Sequence, residues 1–233
     1  MTAIVFDVDD TLYDQMAPFQ QAYAKNFASL SVDLTELYRA RQKYSDAAFY
    51  YSQRGLMTQE AMQIYRMQAA FFSLGIEISD EAAWQFQMDY EQAQQEITLS
   101  PTIIKVLDYC QEQAIPMGII TNGPANHQQK KIDQLELERW IPREKQIISG
   151  AVGLKKPDKA IFDLAKKQMK LSGKKAYYVG DSFENDVLGA KNAGWQTIWL
   201  NRRQHPFSSQ TQLVDWLAED EANLLAILQA IVA

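Results

Sequence analysis

The feature that most constrains this chain is the spacing of its short apolar runs. Residues 3–6, 117–120, 146–149, 176–179 and 197–200 are each too short for a helix and rich in β-formers, so each is predicted as a strand. After the first strand's partner segments begin, helical stretches alternate with them, predicted over 101–113, 124–138, 159–169, 185–193 and 219–231. Apolar strands alternating with helices specify an α/β fold: a Rossmann-like parallel sheet with helices on both faces. One block breaks the rhythm. Residues 14–96 are rich in Ala, Gln, Tyr, Met and Phe, with only Pro18, Gly55 and Gly75 as breakers, a composition that favours helix. Asp33 with Glu36, then Thr58 and Ser79, mark helix starts, while Gly55 and Gly75 suit helix ends. Four helices are expected near 17–30, 34–53, 59–74 and 80–95. The predicted organisation is an α/β core domain of residues 1–13 and 97–233, with an α-helical domain of residues 14–96 inserted after the first strand.

Composition narrows the function. At 233 residues and 47% hydrophobic content the chain can bury a sizeable core. Cys110 is the single cysteine, which excludes an intrachain disulfide and a thiolate cage. His127 and His205 are far apart in sequence, which argues against a histidine-rich zinc site. The net charge is −6 and the 23 Lys and Arg residues form no basic run, the opposite of what a nucleic-acid backbone reader needs. No apolar stretch approaches bilayer length, and the first residues lack the basic start of a signal peptide. The expectation is a soluble cytoplasmic protein with neither nucleic-acid nor membrane partner.

In a parallel sheet, ligands bind outside the carboxyl ends of the strands. Four such ends carry polar clusters: Asp7-Val8-Asp9-Asp10-Thr11, Thr121-Asn122-Gly123, a loop with Lys155-Lys156-Pro157-Asp158, and Gly180-Asp181-Ser182-Phe183-Glu184-Asn185-Asp186. Asp7 and Asp9 share a face in an extended chain, and Asp181 approaches from a neighbouring strand. Two unit charges about 4 Å apart repel by about 4 kcal/mol at an effective dielectric near ~20. Such a group must either take up protons or bind a cation. Oxygen-only ligands suit a hard ion such as Mg²⁺, and Mg²⁺ with Lys156 suits a phosphoryl group.

Taken in order, Asp7-x-Asp9-x-Thr11, Thr121, Lys156-Pro157 and Gly180-Asp181 with Asp186 resemble the four motifs of the haloacid dehalogenase-like (HAD) hydrolases. The helical insert matches the position of that superfamily's cap. The resemblance extends to its phosphoglycolate phosphatase and pyrimidine 5′-nucleotidase type. It implies a Mg²⁺-dependent phosphatase working through an aspartyl-phosphate. Asp7 is then the nucleophile and Asp9 the general acid and base. Mg²⁺ is held by the Asp7 carboxylate, the Asp9 main-chain carbonyl and the Asp181 carboxylate. Lys156 bridges Asp7 and the phosphate, Thr121 and Asn122 hold phosphoryl oxygens, and Asp186 orients Lys156 or a metal-bound water. Asn185 either caps its helix or joins Asp186. Thr11 and Asp158 read as capping residues, Asp10 as a turn residue, Asp14 as hinge geometry and Lys155 as a solvated charge. The implied partner is a small phosphorylated metabolite: a nucleoside monophosphate, a sugar phosphate or phosphoglycolate. The same motifs leave open a haloacid dehalogenase, a phosphomutase or a non-catalytic binding protein.

Overall fold

The computed structural model of the protein describes residues 2–206 and 212–232; the side chains of Asp46, Phe49 and Gln53 lie outside that description. Six parallel strands form one sheet in the order β3-β2-β1-β4-β5-β6. They are β1 (Thr2–Phe6), β2 (Met117–Thr121), β3 (Gln146–Ile148), β4 (Lys175–Gly180), β5 (Gln196–Leu200) and β6 (Trp216–Ala218). Between β1 and β2 lie α1 (Met16–Phe27), α2 (Leu34–Gln53), α3 (Gln59–Phe72), α4 (Asp80–Ala93) and α5 (Pro101–Glu112). α6 (Ala125–Gln134) follows β2, and α7 (Ser149–Val152) and α8 (Lys159–Gln168) follow β3. A π-helical turn (Phe183–Leu188) running into α9 (Gly189–Asn192) follows β4, and α10 (Glu221–Val232) comes last.

The period-two alternation of the strands explains why both faces are covered. On β1, Ile4 and Phe6 enter one apolar core, while Ala3 and Val5 enter the other. On β4, Tyr177 and Val179 share the first core, and Ala176 and Tyr178 the second. With no polar face available, the strands read as continuous apolar runs. β1 pairs with β2 and β4, with Phe6 opposite Ile119 and Val179, so these three strand ends are aligned. Cys110 is buried in the first core.

The chain divides into two compact units, Met1–Asp14 with Ile97–Ala233, and Gln15–Glu96. The second unit holds α1–α4 around its own aromatic core, in which Phe19 meets Tyr38, Phe86 and Tyr90 edge-on. Its helix starts are capped as their sequences require: Asp33 accepts from the Thr35 and Glu36 N–H groups, Thr58 from Ala61, and Ser79 from Ala82. Among the described residues, no helix is long and apolar enough to cross a membrane.

Three local expectations differ. The helix predicted over 124–138 stops at Gln134, because Glu136 adopts a left-handed φ of 51° that turns Leu137 into the core. The segment predicted as helix from 185 begins instead with the π-helical turn at Phe183. The edge strand β6 was not foreseen; its three residues are too few to show a period.

Candidate active site

Asp7 is the first residue beyond β1, and its N–H still donates to Val179 O at 2.8 Å. The ladder therefore fixes the main chain that carries this side chain. Lys156 meets it from the loop between α7 and α8. Its ammonium, 3% exposed, lies 2.8 Å from Asp7 Oδ1 and 2.7 Å from Asp186 Oδ1, and donates to the Tyr178 hydroxyl at 3.0 Å. Of its three N–H donors, the lysine gives hydrogen bonds to Asp186 and Tyr178, while Asp7 Oδ1 lies at ion-pair distance without a hydrogen-bond partner of its own. The Tyr178 hydroxyl passes its own proton to Ile120 O at 2.6 Å. Lys155 next door is exposed, so the buried lysine is the one directly before Pro157.

The main chain of Lys156 is fixed too. Asn122 Oδ1 accepts from its N–H at 2.9 Å, and Asn122 Nδ2 donates to its carbonyl at 2.9 Å. The Asn122 carboxamide therefore braces the lysine loop, through Oδ1 and one of its two Nδ2 protons. Thr121, at the end of β2, buries an Oγ1 without a hydrogen-bond partner, which leaves that hydroxyl available to an anion. Thr11 Oγ1 is buried without a partner as well, so Thr11 does not cap the following turn. Asp158 starts α8 but makes no side-chain cap, contrary to expectation.

Oxygens of Asp7, Asp181 and Asp186 all lie within 4.8 Å of one another. Asp186 Oδ2 accepts from the Ser182 N–H at 2.9 Å, so both its oxygens are engaged. Gly180 makes this possible, since a Cβ there would collide with the Asp186 carboxylate. Asn185 does not join them. Its Nδ2 donates to Ser182 Oγ at 3.2 Å, while Ser182 Oγ caps the turn by accepting from the Asn185 N–H. Of the two roles expected for Asn185, bracing the cap is the one observed.

Asp9 and Asp10 have separate counter-charges. Asp9 Oδ1 lies 2.6 Å from Lys131 Nζ and accepts from the Tyr13 hydroxyl at 2.6 Å, while Oδ2 accepts from Gln128 Nε2 at 2.7 Å. Asp10, at a left-handed φ of 54°, is buried and lies 2.5 Å from Arg203 Nη2. Arg203 also pairs with Asp14, and Arg202 donates to Thr11 O and to Glu221. Asp10 and Asp14 are therefore ion-pair partners in addition to turn and exit residues.

The proton affinities follow from this accounting. Burial pushes the Asp7 carboxyl up, Asp186 and Asp9 add to this, and Lys156 only partly opposes them, leaving it at about 7. Burial, Asp10, Asp186 and Asp7 hold the Asp181 carboxyl well above the usual range. Burial also acts on Asp9, but Lys131 with the Tyr13 and Gln128 hydrogen bonds outweighs it and holds that carboxyl below the usual range. Burial pulls the Lys156 ammonium down, yet Asp186 and Asp7 prevail and hold it well above its ordinary value.

Asp9 is balanced by Lys131 and Asp10 by Arg203. Three carboxylates (Asp7, Asp181, Asp186) then share one ammonium, so if all three were ionised two negative charges would lack a counter-charge; without a cation, bound protons make up the difference. Oxygen donors with that deficit fit a hard divalent cation.

The sequence reading did not single out Gln128, Lys131, Tyr13, Tyr178 or Arg203. A signal existed for the first two: Gln128, Lys131, Ile132 and Leu135 follow i, i+3, i+4, i+7 spacing along α6 and its C-cap, and all four are buried.

Known proteins resemble this chain in sequence and in fold. The chain is 30% identical over 209 residues to the pyrimidine 5′-nucleotidase YjjG of Escherichia coli, covering 87% of this chain and 88% of that protein. It is 39% identical over 100 residues to a glyceraldehyde 3-phosphate phosphatase of Pyrococcus abyssi, a match spanning 43% of this chain and only 41% of that protein. The solved structure of the HAD-hydrolase YfnB of Bacillus subtilis, bound to magnesium, superposes with a TM-score of 0.69 at 23% identity, covering 97% of each chain. The profile of the haloacid dehalogenase-like hydrolases matches residues 1–194, a span that takes in the ends of β1 to β4, and the chain belongs to that family.

Proposed function

We propose that this protein is a Mg²⁺-dependent phosphatase of a small phosphomonoester, working through an aspartyl-phosphate on Asp7. The observation that carries this reading is the charge deficit around Asp7, Asp181 and Asp186, with Lys156 shared between two of them. Asp7 and Asp181, with the Asp9 main-chain carbonyl, are assigned to hold the ion. When bound, Mg²⁺ would screen the anionic nucleophile from the anionic phosphate.

The remaining work falls to this chain's own groups. Lys156 holds Asp7 in place and offers positive charge to the incoming phosphoryl oxygens. Thr121 contributes its unpartnered hydroxyl. Asp7 attacks phosphorus, and Asp9 protonates the departing alkoxide, then takes a proton from the hydrolytic water. Similarity to a pyrimidine nucleotidase along nearly the whole chain favours nucleoside monophosphates among small phosphorylated metabolites. We assign selection among them to the inserted helical unit, as its cap.

A panel of nucleoside monophosphates, sugar phosphates and phosphoglycolate, ranked by kcat/KM, tests the reading. Hydrolysis is expected with Mg²⁺ and lost with EDTA. Asp7→Asn at wild-type activity, or halide release from 2-haloacids without metal and no phosphate release, would overturn it.

A further inference from the structure

We propose that Gln128 and Lys131 are positioning residues for Asp9, aiming its Oδ2 at the leaving group; the inference rests on the phosphatase reading above. Both side chains are buried on the face of α6 that carries Ile132 and Leu135. A helix face turned to the interior is ordinarily apolar, and this one spends two positions on polar groups that meet a single carboxylate.

The contacts to that carboxylate are unequal. Oδ1 receives two donors, Lys131 Nζ and the Tyr13 hydroxyl, each at 2.6 Å. Oδ2 receives one, Gln128 Nε2 at 2.7 Å. A carboxylate oxygen has two lone pairs, so Oδ1 is filled and Oδ2 keeps one open. The proton exchanged with the leaving group therefore passes through Oδ2. As the bond from Asp7 to phosphorus forms, the bond from phosphorus to the ester oxygen breaks. That oxygen keeps the electron pair and takes a proton from Asp9 Oδ2, the proton Asp9 accepted from the hydrolytic water of the preceding turnover or from solvent. The carboxylate left behind meets the Lys131 ammonium without any rearrangement.

Gln128 shows that this placement has been favoured over local satisfaction. Its second amide proton goes to Asn122 O at 2.7 Å, so both N–H groups point at acceptors. Its Oε1 is buried without a hydrogen-bond partner. Turning the amide over would set that oxygen against a carboxylate and a carbonyl, so the orientation is determined. Gly123 gives the amide its space, since a Cβ there would lie 2.7 Å from Gln128 Nε2. The same glutamine thus ties the Asp9 carboxylate to the loop that carries Thr121 and Asn122.

The test separates esters by their need for a proton. Nitrophenolate departs from p-nitrophenyl phosphate without one, whereas the alkoxides of uridine 5′-monophosphate, ribose 5-phosphate and phosphoglycolate need one. With saturating Mg²⁺, Lys131→Met is expected to lower kcat on the alkyl esters by about 100-fold or more and on p-nitrophenyl phosphate by less than about tenfold. Lys131→Arg should restore most of the alkyl-ester rate. In an Asp9→Asn background, Lys131→Met should cost less than about threefold further, because the two act as one unit. Gln128→Met should show the same split, and it carries the test alone if Lys131→Met does not fold. Equal losses on both ester classes, or full additivity with Asp9→Asn, would overturn this assignment while leaving the phosphatase reading intact. A wild-type protein that hydrolyses neither class overturns both.

Discussion

Asp7 and Asp9 stand two residues apart at one strand end, and each belongs to a group containing a buried lysine and a tyrosine hydroxyl. Yet burial raises the Asp7 carboxyl to about 7 against incomplete opposition, while the same burial around Asp9 is overcome and its carboxyl is held low. The difference is how the lysine is shared. Lys156 divides its charge between Asp7 and Asp186, with Asp181 close by. Lys131 serves Asp9, with Tyr13 and Gln128 adding two hydrogen bonds. A buried carboxylate with a counter-charge to itself is a finished ion pair, whereas one that shares its counter-charge is an unfinished site waiting for a cation. The two centres are thus built for different tasks, one to receive metal and phosphorus and the other to handle a proton.

The sharpest way to break the comparison is to neutralise each carboxylate in turn. Asp7→Asn removes the nucleophile and should lower kcat by about 10⁴-fold or more on every ester. Asp9→Asn removes only proton transfer and should cost about 10²- to 10⁴-fold on alkyl esters. Steady-state rates on one alkyl ester rank the two. Equal losses would mean that both residues act only by supporting the local structure.

Next in size is the loss of the shared lysine. Lys156→Met leaves Asp7 and Asp186 buried without their cation, and breaking a buried pair from one side costs about 3–5 kcal/mol. Urea unfolding of the metal-free protein measures this, and added Mg²⁺ should recover part of it by binding only the folded state. Lys131→Met should cost less, because Asp9 keeps the hydrogen bonds from Tyr13 and Gln128. A larger loss at Lys131 than at Lys156 would reverse the ranking.

These two lysines also show what the sequence disclosed and what it hid. Each follows another lysine, and in both pairs the second is buried: Lys130-Lys131 and Lys155-Lys156. Parallel-sheet topology pointed to the loop after β3, and within it Lys156 was legible because it directly precedes a proline, as the lysine of the resembled motif does. Asp7 and Asp181 were legible as the residues directly after β1 and β4, while Asp186, inside the following turn, was legible only from the motif spacing. Lys131 sits mid-helix, and its role depends on which way α6 faces, which strand alternation does not report. Asn122 and Asn185 were placed near the right loops, but their short amides had several backbone and hydroxyl partners within reach. Tyr178 was hidden within an apolar strand, where it looked like packing. The parallel sheet with helices on both faces followed from alternation, apart from the three-residue edge β6, whereas the strand order did not.

The carboxyl raised by burial also has a signature in pH, smaller than the loss of a lysine and spread over several pH values. Below its ordinary value of 3.8, Asp7 is protonated whether folded or unfolded, and above about 7 it is ionised in both. Between these limits the folded protein holds a proton that the unfolded chain releases. Unfolding free energy of the metal-free protein should therefore fall as pH rises through this window, by up to ~4 kcal/mol from Asp7. Asp181, raised in the same direction, adds to the slope, so Asp7→Asn should reduce it without removing it. Asp9 carries the opposite sign: its contribution is present above the ordinary value and lost as pH falls below it. Saturating Mg²⁺ should flatten the Asp7 window by favouring the ionised carboxylates. Stability that rises with pH across this window in the metal-free protein would contradict the sharing of Lys156.

The smallest expected effect isolates the hydroxyls. Tyr178→Phe removes one of two hydrogen-bond acceptors of the Lys156 ammonium and the donor to Ile120 O, both fully buried. Tyr13→Phe removes one of two donors to Asp9 Oδ1, on a carboxylate that keeps some contact with solvent although the tyrosine is buried. Leaving a buried donor without a partner costs about 1–3 kcal/mol, whereas an exposed position can recruit water in its place. Tyr178→Phe should therefore lower stability by about 1–3 kcal/mol and Tyr13→Phe by less than about 1 kcal/mol, as read from urea midpoints at constant slope. The lysine also gains freedom to lean toward Asp186, so Tyr178→Phe should raise KM for a phosphate ester more than Tyr13→Phe does. If the two phenylalanine variants proved equal in stability and KM, the hydroxyl beside Lys156 would be a packing feature, and the contrast between the shared and the unshared lysine would rest on the carboxylates alone.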